Sequence, residues 1–422
     1  MKKDFMEFLK KSTTAFQAVF EMAQRLEEAG FERIREEDAW NIAGGDKKYV
    51  VRNDSSLIAF SVPESLQETG DSCGFRLICA HSDSPTFKIK ENPCIAVEGG
   101  YLKMNVENYG GMIKESWLDR PLSVAGKVVV RKEGLELESR LLDIKKPLFI
   151  IPSLAVHMKR GGEKDGELNT QFHMLPLAGT QIDKDAWMNL LADEVNADVK
   201  DILGTELYLY PWAEPVCMGM QEELLGAPRL DDLACVYCGL WALLESEAKD
   251  HISVLAVFDN EEVGSQTMQG AASDLLLSVL RRVTCALDLT LERSLARSFL
   301  ISADNAHARH PNYTDKADPT NRPLLNQGIV IKYHGGQKYT TSAYSGAYVK
   351  AICEQEKIPY QTYHNRSDIA GGSTLGNIAL MNVSVPAADI GIAQLAMHSA
   401  FETMGLQDLT HMVQFMTAFF ET

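Results

Sequence analysis

Long uncharged apolar runs are missing from the 422-residue chain. No stretch approaches the roughly 18 consecutive apolar residues that a membrane-spanning helix needs. Near the start of the chain, Asp4, Glu7 and Lys10 interrupt the apolar residues, a pattern typical of amphipathic helices and not of a secretory signal. We therefore expect a protein that has no membrane partner and stays in the cytoplasm.

The chain also has fewer positively charged than negatively charged residues. The chain has 41 Lys and Arg residues against 58 Asp and Glu residues, which gives a formal net charge of -17. Such a charge repels polyanions and argues against a nucleic-acid partner. If the protein binds an acidic ligand, recognition must come from a local cation.

Cysteine is present but forms no recognisable framework. The eight cysteines are scattered, and several lie inside apolar runs where a reduced thiol packs as a small apolar group. Cys235 and Cys238 have the spacing of a C-x-x-C motif, but no second pair accompanies them, and the segment around them has helical periodicity. We expect these two thiols to pack in the core.

The length and the order of the apolar segments predict two units, since 422 residues exceed the usual size of one domain. Short Val-, Ile- and Leu-rich runs separated by Gly and charged turns fill the middle of the chain, which predicts a β-rich domain at residues 92–225. Outside it, at residues 1–91 and 226–422, strand-like runs alternate with helical patterns. This alternation favours an α/β domain with a mostly parallel central sheet, interrupted by the β-rich insertion.

Candidate metal ligands follow the predicted strands. Ligands in open α/β sheets bind beyond the carboxyl ends of the strands, and neutral imidazole and carboxylate groups suit Zn²⁺. The residues at such positions are His81 after FRLICA, Glu261 and Glu262 after VLAVFDN, Asp304 after FLISA, His398 after VPAADIGIAQLAM, and Asp231 at the start of a helical pattern. We expect His398 to lie at the start or in the interior of a helix.

Taken singly, each candidate could also be an ordinary polar residue that binds no metal. Asp83 lies two residues after His81 and could orient its ring, although a surface turn is the alternative. The neighbouring carboxylates of Glu261 and Glu262 could divide metal binding and water activation between them, although an exposed loop is the alternative. Their joint occurrence at strand ends has the stoichiometry of a two-metal site.

Longer segments carry a family resemblance. They are AHSDSP (80–85), SWLDRPLSVAGKVVV (116–130), IPSLAVHM (151–158), RLDDL (229–233), DNEEVGS (259–265), DNAHARHPNY (304–313), RPLLNQGIVIK (322–332) and QLAMHS (394–399). With these segments the chain resembles the aspartyl aminopeptidase family of cocatalytic zinc metallopeptidases over most of its length. The family's fold is a catalytic α/β domain interrupted by a β-rich dimerisation domain.

The resemblance implies roles for the candidate residues. Asp231 matches the residue that bridges two zinc ions. His81 and Asp304 match the other ligands of one ion, and Glu262 and His398 those of the second. Glu261 matches the general base. Mn²⁺ and Co²⁺ also accept this ligand set.

The resemblance also implies substrate contacts and an assembly. His307, Lys332 and Tyr339 match substrate-binding residues, although Lys332 alone would pass for an exposed lysine at a strand end. His157, in the inserted domain, matches a residue that reaches the active site of a neighbouring subunit. The implied substrates are peptides with a free, acidic N-terminal residue, and the implied assembly is a homo-oligomer built from dimers, a tetrahedral dodecamer.

Some alternatives stay open at this point. Asp232 stands where the family commonly has Asn, so the sequence offers two neighbouring Asp residues as metal ligands. Asn305 stands where Met is common. An aminopeptidase with broad or neutral specificity, a metal-dependent deacylase of related fold, and a non-enzymatic oligomeric scaffold are the competing functions.

Overall fold

The computed structural model describes residues 1–66, 73–159 and 168–422. The strands of these residues, in chain order, are β1 (Glu32–Arg33), β2 (Lys47–Arg52), β3 (Ser56–Ser61), β4 (Gly74–His81), β5 (Thr86–Val97), β6 (Tyr101–Tyr109), β7 (Pro121–Arg131), β8 (Leu137–Asp143), β9 (Phe149–Ile150), β10 (Leu177–Thr180), β11 (Ile202–Pro211), β12 (Val216–Met218), β13 (Leu224–Ala227), β14 (His251–Phe258), β15 (Phe299–Ala303), β16 (Ala306–His307), β17 (Ile329–Tyr333), β18 (Tyr360–His364), β19 (Ala387–Gly391), β20 (Ala393–Leu395) and β21 (Glu402–Gly405).

The α-helices of the same residues are α1 (Lys2–Lys11), α2 (Ala15–Glu28), α3 (Thr170–His173), α4 (Ala186–Val195), α5 (Leu230–Glu245), α6 (Leu275–Ala286), α7 (Leu291–Ala296), α8 (Ala343–Glu356), α9 (Leu375–Ala379) and α10 (Leu406–Glu421). None of the helices in the described part of the chain is long and apolar enough to cross a membrane.

The chain divides into two compact units. The first consists of Met1–Asp83, Pro215–Met397 and Glu402–Thr422, and the second of Ser84–Glu214 and His398–Phe401. The boundaries thus lie at 83 and 214, whereas the sequence placed them at 91 and 225. Strand β5 explains the first difference, because it pairs with β6 on both sides of a bulge and belongs to the second unit over its whole length. The second difference arises because β13 pairs with β21 of the first unit.

The main sheet of the first unit has a parallel centre. Among the described residues it contains nine strands in the order β1-β2-β3-β14-β4-β15-β19-β17-β18. The pairs β14–β4, β4–β15 and β15–β19 are parallel, whereas β3–β14 and β19–β17 are antiparallel. The predicted α/β class with a largely parallel central sheet is confirmed.

Helices cover both faces of this sheet, and β14 shows why its sequence is apolar except at His251 and Ser253. All eight of its residues are buried. Because side chains alternate between the faces of a strand, Leu255 and Val257 join the core that contains α5 and α10, whereas Val254 and Ala256 join the core that contains α6. A strand buried on both faces has no polar side.

The cysteines match the sequence analysis. All eight are free thiols. Cys235 and Cys238 lie on α5 and are fully buried in the core that also contains Leu255, which confirms that they pack as apolar residues.

A smaller sheet of the first unit follows the order β12-β13-β21-β20-β16 among the described residues. Strand β13 pairs antiparallel with β21, and β20 pairs antiparallel with β21 and parallel with β16. Since β13 ends at Ala227, this sheet leads directly into the start of α5.

The second unit is built around a sheet that closes on itself. Its described strands follow the order β11-β5-β6-β10-β9-β7-β8, and β11 also pairs with β7 along most of its length. Its core contains Phe87 and Trp117, whose rings meet edge to face at 5.2 Å. Helix α4 contributes Trp187, which packs on Phe149.

Candidate metal centre

The parallel strands of the main sheet bring the predicted ligands to one edge. Strands β14 and β4 are in register from their first residues to Phe258 and His81 at their carboxyl ends. Strand β15 pairs with β4 on the other side and ends one residue before Asp304. Glu261 and Glu262 lie in the short 3₁₀ turn that follows β14. Strand polarity thus gathers residues that are up to 223 positions apart, from His81 to Asp304.

Three of the side chains form a compact ligand set. A ring nitrogen of His81 and carboxylate oxygens of Asp231 and Asp304 lie within 4.8 Å of one another. The Nε2 atom of His81 is 3.6 Å from Oδ1 of Asp231. All three residues are buried. One imidazole and two carboxylates are a donor set that Zn²⁺ accepts.

A second group overlaps the first. Ligand atoms of Glu261 and Glu262 lie within 4.8 Å of a ring nitrogen of His81 and of each other, and one oxygen of Glu262 comes equally close to Asp231. Glu261 and Glu262 are half-buried, whereas His81 and Asp231 are buried, so these neighbouring carboxylates are poorly hydrated. A cation offsets the cost of such an arrangement.

The structure distinguishes the two adjacent aspartates at the start of α5. Asp231 contributes to the ligand groups, whereas Oδ2 of Asp232 accepts the backbone N–H of His81 at 3.3 Å. Asp232 also interacts with the Cys235 thiol, and its Oδ1 atom has no hydrogen-bond partner among the described residues. The geometry therefore favours Asp231 as the ligand.

Asp83 connects the two strand ends. Its carboxylate accepts the backbone N–H groups of Glu261 at 3.1 Å and Glu262 at 3.2 Å. Its carbonyl oxygen lies 3.0 Å from Nδ1 of His81, and its Oδ1 lies 3.4 Å from the same nitrogen. With Nδ1 donating to Asp83, Nε2 of His81 is the ring nitrogen left to accept a metal ion.

Burial controls the protonation of the site. It raises the pKa of Glu261 to about 8, and the negative charges of Asp304, Asp83 and Asp231 add to this effect. Burial also raises the pKa of Asp304. For His81, burial alone would lower the pKa, but Asp231 and Asp83 outweigh it and hold the pKa well above its usual value. Without a cation, this cluster holds protons that a metal would replace.

Lys332 on β17 is buried beside Asp304. Its ammonium donates to the carbonyl oxygens of Asp304 at 2.7 Å and Asn305 at 3.2 Å, and it lies 3.5 Å from Oδ1 of Asp304. Burial alone would lower its pKa, but the charge of Asp304 holds the pKa above the ordinary value. An exposed lysine at a strand end, the alternative left open by the sequence, is wrong.

The other predicted substrate residues of the first unit border an aromatic cluster next to Lys332. The ring of Tyr339 lies 5.2 Å from the Lys332 ammonium. The ring of Tyr363 lies 6.3 Å from Tyr339 and 6.2 Å from His307. Tyr363 is not among the residues predicted from the sequence, because nothing in the pattern of β18 distinguishes it from an ordinary strand residue.

Two predicted site residues belong to the second unit. His398 lies in a turn with a φ of +67°, so its expected placement in a helix is wrong. The antiparallel pairing of β20 with β21 leaves residues 396–401 as the connecting loop. Within the second unit, Nδ1 of His398 lies 2.5 Å from the carbonyl oxygen of Gly111. His157 is exposed in the short 3₁₀ helix Val156–Lys159.

Imidazole and carboxylate groups gathered at the carboxyl edge of a parallel sheet, with a further glutamate beside them, are characteristic of metal-dependent hydrolases. The model of the M18 family, the aminopeptidase I zinc metalloproteases, matches residues 8–420. The chain belongs to this family, and it is a zinc metalloaminopeptidase.

Individual relatives cover nearly the whole chain. A probable M18 family aminopeptidase 2 of Clostridium novyi (strain NT) is 43% identical over 96% of this chain and 95% of its own. The solved structure of Ape4 in complex with Nbr1 matches with a TM-score of 0.94 and 33% identity, over 99% of this chain and 85% of that one. The mApe1 dodecamer of S. cerevisiae matches with a TM-score of 0.86 and 27% identity, over 99% and 96%.

The protonation of the site predicts how the stability of the metal-free protein depends on pH. A carboxyl group with a raised folded-state pKa favours the fold below its ordinary pKa, and this contribution is lost as the pH rises toward the folded value. For Glu261 that window runs from 4.5 to about 8. The midpoint temperature of unfolding of chelator-treated protein should therefore decrease as the pH is raised from 5 to 8. The decrease should be smaller in the Glu261→Gln variant, because its side chain cannot ionise. Thermal unfolding followed by circular dichroism measures this, and equal slopes for the two proteins would contradict the assignment.

Proposed function

We propose that the protein removes the N-terminal residue from peptides with a free α-amino group, and that it uses two zinc ions per subunit. The observation that carries this proposal is the overlap of the ligand groups. Oxygens of Asp231 lie within 4.8 Å both of ligand atoms of His81 and Asp304 and of an oxygen of Glu262. A carboxylate so placed can serve two ions.

In this proposal, Asp231 would serve both ions, His81 and Asp304 would hold one of them, and Glu262 and His398 would hold the other. Two zinc ions bound here would lower the pKa of a water molecule toward neutrality and polarise the scissile carbonyl group. Mn²⁺ or Co²⁺ could occupy the same ligands, with metal availability deciding among them.

Glu261 is the proposed general base. Its carboxylate accepts the proton of the attacking water and passes it to the leaving amine. The contact between its backbone N–H and Asp83 supports this role, because it fixes the backbone from which the carboxylate projects. The ring of His81 is held by the same aspartate, so Asp83 positions the base and a ligand together.

A preference for acidic N-terminal residues is part of the proposal. A chain with a net charge of -17 needs a local cation to bind the negatively charged side chain of an acidic substrate. Lys332 is a buried ammonium bordered by Tyr339, with His307 close by in the same aromatic cluster. A carboxylate of the substrate would pair with Lys332.

One observation favours a broad or neutral specificity as the second candidate. The ammonium of Lys332 has three N–H donors, and it already faces two carbonyl oxygens and Oδ1 of Asp304. If these contacts persist with a substrate present, Lys332 shapes the site through Asp304 and does not pair with the substrate.

We further propose a dimer-based homo-oligomer, a tetrahedral dodecamer, in which His157 contributes to the active site of a neighbouring subunit. Leu154, Val156 and Met158 flank His157 and are exposed to 55%, 73% and 72%. Such a group of exposed apolar residues is typical of a surface that a second subunit covers. The dodecameric assembly of the related mApe1 supports the proposal.

The cytoplasm is the proposed location, because the eight cysteines, several of them buried, are all free thiols.

The scaffold alternative requires no intact site, yet the proposed base and ligands are all retained in the sequence. A deacylase would accept substrates with a blocked amine, and this distinguishes it from an aminopeptidase.

Replacing Glu261 separates proton transfer from metal binding. The Glu261→Gln variant should keep its zinc and lose turnover by about 10²- to 10⁴-fold, because only the base is removed. The matched control is Glu262→Gln, which removes a proposed ligand at the next position and should lose zinc as well as activity. Zinc analysis and steady-state kinetics measure both variants, and near-normal turnover of Glu261→Gln would exclude Glu261 as the base.

The substrate preference is tested with aminoacyl p-nitroanilides. We expect a higher kcat/KM for the Asp and Glu derivatives than for the Leu derivative, and no hydrolysis after N-acetylation. The Lys332→Met variant should lose the acidic preference more than the activity toward Leu. Equal rates for Asp and Leu derivatives would support the neutral alternative, and cleavage of the acetylated compounds would support a deacylase.

A further inference from the structure

Three buried polar side chains lie next to the backbone of Asp231 and take no part in the proposed chemistry. Asn305, Gln394 and Glu402 are 2%, 1% and 2% exposed. Gln394 lies on β20 and Glu402 on β21, the two paired strands of the smaller sheet, and Asn305 directly follows Asp304. Polar groups in such a place are costly unless they are hydrogen-bonded.

Two of these side chains hold opposite ends of one peptide group. The carbonyl oxygen of Leu230 accepts a hydrogen bond from Nδ2 of Asn305 at 2.8 Å. The N–H of Asp231, which belongs to the same peptide group, donates to Oε2 of Glu402 at 3.0 Å. Both polar atoms of the peptide plane that precedes the Asp231 side chain are therefore fixed.

The third side chain connects the other two. Nδ2 of Asn305 also donates to Oε1 of Gln394 at 2.8 Å, and Nε2 of Gln394 donates to Oε1 of Glu402 at 3.4 Å. The Cys235 thiol lies 3.3 Å from Oδ1 of Asn305. The contacts form a closed ring in which each amide orientation is set by its neighbours.

The backbone at this point needs such support. The first N–H groups of a helix have no partner within the helix, and Asp231, with φ of -85° and ψ of 109°, does not have helical geometry. Helical hydrogen bonds therefore do not determine the orientation of its peptide plane. The ring of side chains holds that plane instead, and the Cα atom that carries the Asp231 side chain is attached directly to it.

We propose that Asn305, Gln394 and Glu402 form a clamp on the Leu230–Asp231 peptide group that aims the Asp231 carboxylate and so sets the zinc affinity of the site. The three are positioning residues, and the inference rests on the proposed role of Asp231 as the bridging ligand. Partners of metal ligands typically affect metal affinity by about 10- to 100-fold.

The test uses the zinc-loaded enzyme in competition with a zinc chelator of known affinity. In Glu402→Gln, one of the two contacts becomes a contact between two donors, either with the N–H of Asp231 or with Nε2 of Gln394. In Asn305→Leu, a side chain of similar shape removes the bond to the Leu230 carbonyl. Each variant should weaken zinc binding by about 10- to 100-fold.

Glu21→Gln is the matched control, because Glu21 is also a buried glutamate, 4% exposed, but it pairs with Lys11 and Arg25 near the start of the chain. It should lower the unfolding midpoint and leave zinc affinity unchanged. The visible spectrum of Co²⁺-loaded protein gives a second readout, which should change in the clamp variants and not in the control. The double variant Glu402→Gln/Asn305→Leu should lose less affinity than the product of the single losses, since both act on one peptide group.

The outcomes separate the clamp from the proposed metal site. If the unaltered enzyme binds two zinc ions and the clamp variants match Glu21→Gln in affinity and spectrum, the clamp is wrong and the metal site stands. If the unaltered enzyme binds no zinc, both are wrong. Weaker binding with a changed Co²⁺ spectrum, and a non-multiplicative double variant, support the clamp.

Discussion

Crowded, buried negative charge at the carboxyl edge of the main sheet governs the rest of the site. Burial and mutual repulsion raise the pKa values of Glu261, Asp232 and Asp304. Protons can relieve this crowding at low pH, and a bound Zn²⁺ would relieve it at neutral pH, where the proposed base Glu261 has to be ionised. The same groups thus favour a bound cation and lead to the pH dependence that we predict for the metal-free fold.

The fold provides this arrangement through strand polarity. Strands β14, β4 and β15 run in parallel and end together, which brings His81, Asp304 and the Glu261–Glu262 pair to one place. Asp231 arrives by a different route, from the smaller sheet through the start of α5. The strands of the main sheet therefore do not orient Asp231. In our proposal its orientation depends on side chains of β20 and β21 and on Asn305.

Sequence periodicity was sufficient for what strand and helix periods determine. The buried strand β14, the packing of Cys235 and the position of His81 at a strand end all follow from local patterns. The loop position of His398 did not, because it depends on the pairing of β20 with β21. The contacts of Glu402 and Gln394 could not be predicted for a similar reason. Asp231, which bonds to Glu402, and Asn305, which bonds to Gln394, lie 171 and 89 positions away in the chain, and a single polar residue in a short strand carries no local signal. The assignment of roles to individual ligands came from the family resemblance and not from periodicity.

The proposed bridging role of Asp231 between two zinc ions is tested most directly by zinc stoichiometry. Replacing Asp231 with Ala should remove both zinc ions, as measured by elemental analysis of the purified protein. Asp232→Asn is the control and should retain both, because Asp232 lies outside the ligand groups. An Asp231→Ala protein that keeps two zinc ions would show that another residue bridges them. If only the Asp232→Asn protein lost both ions, Asp232 would be the bridging residue.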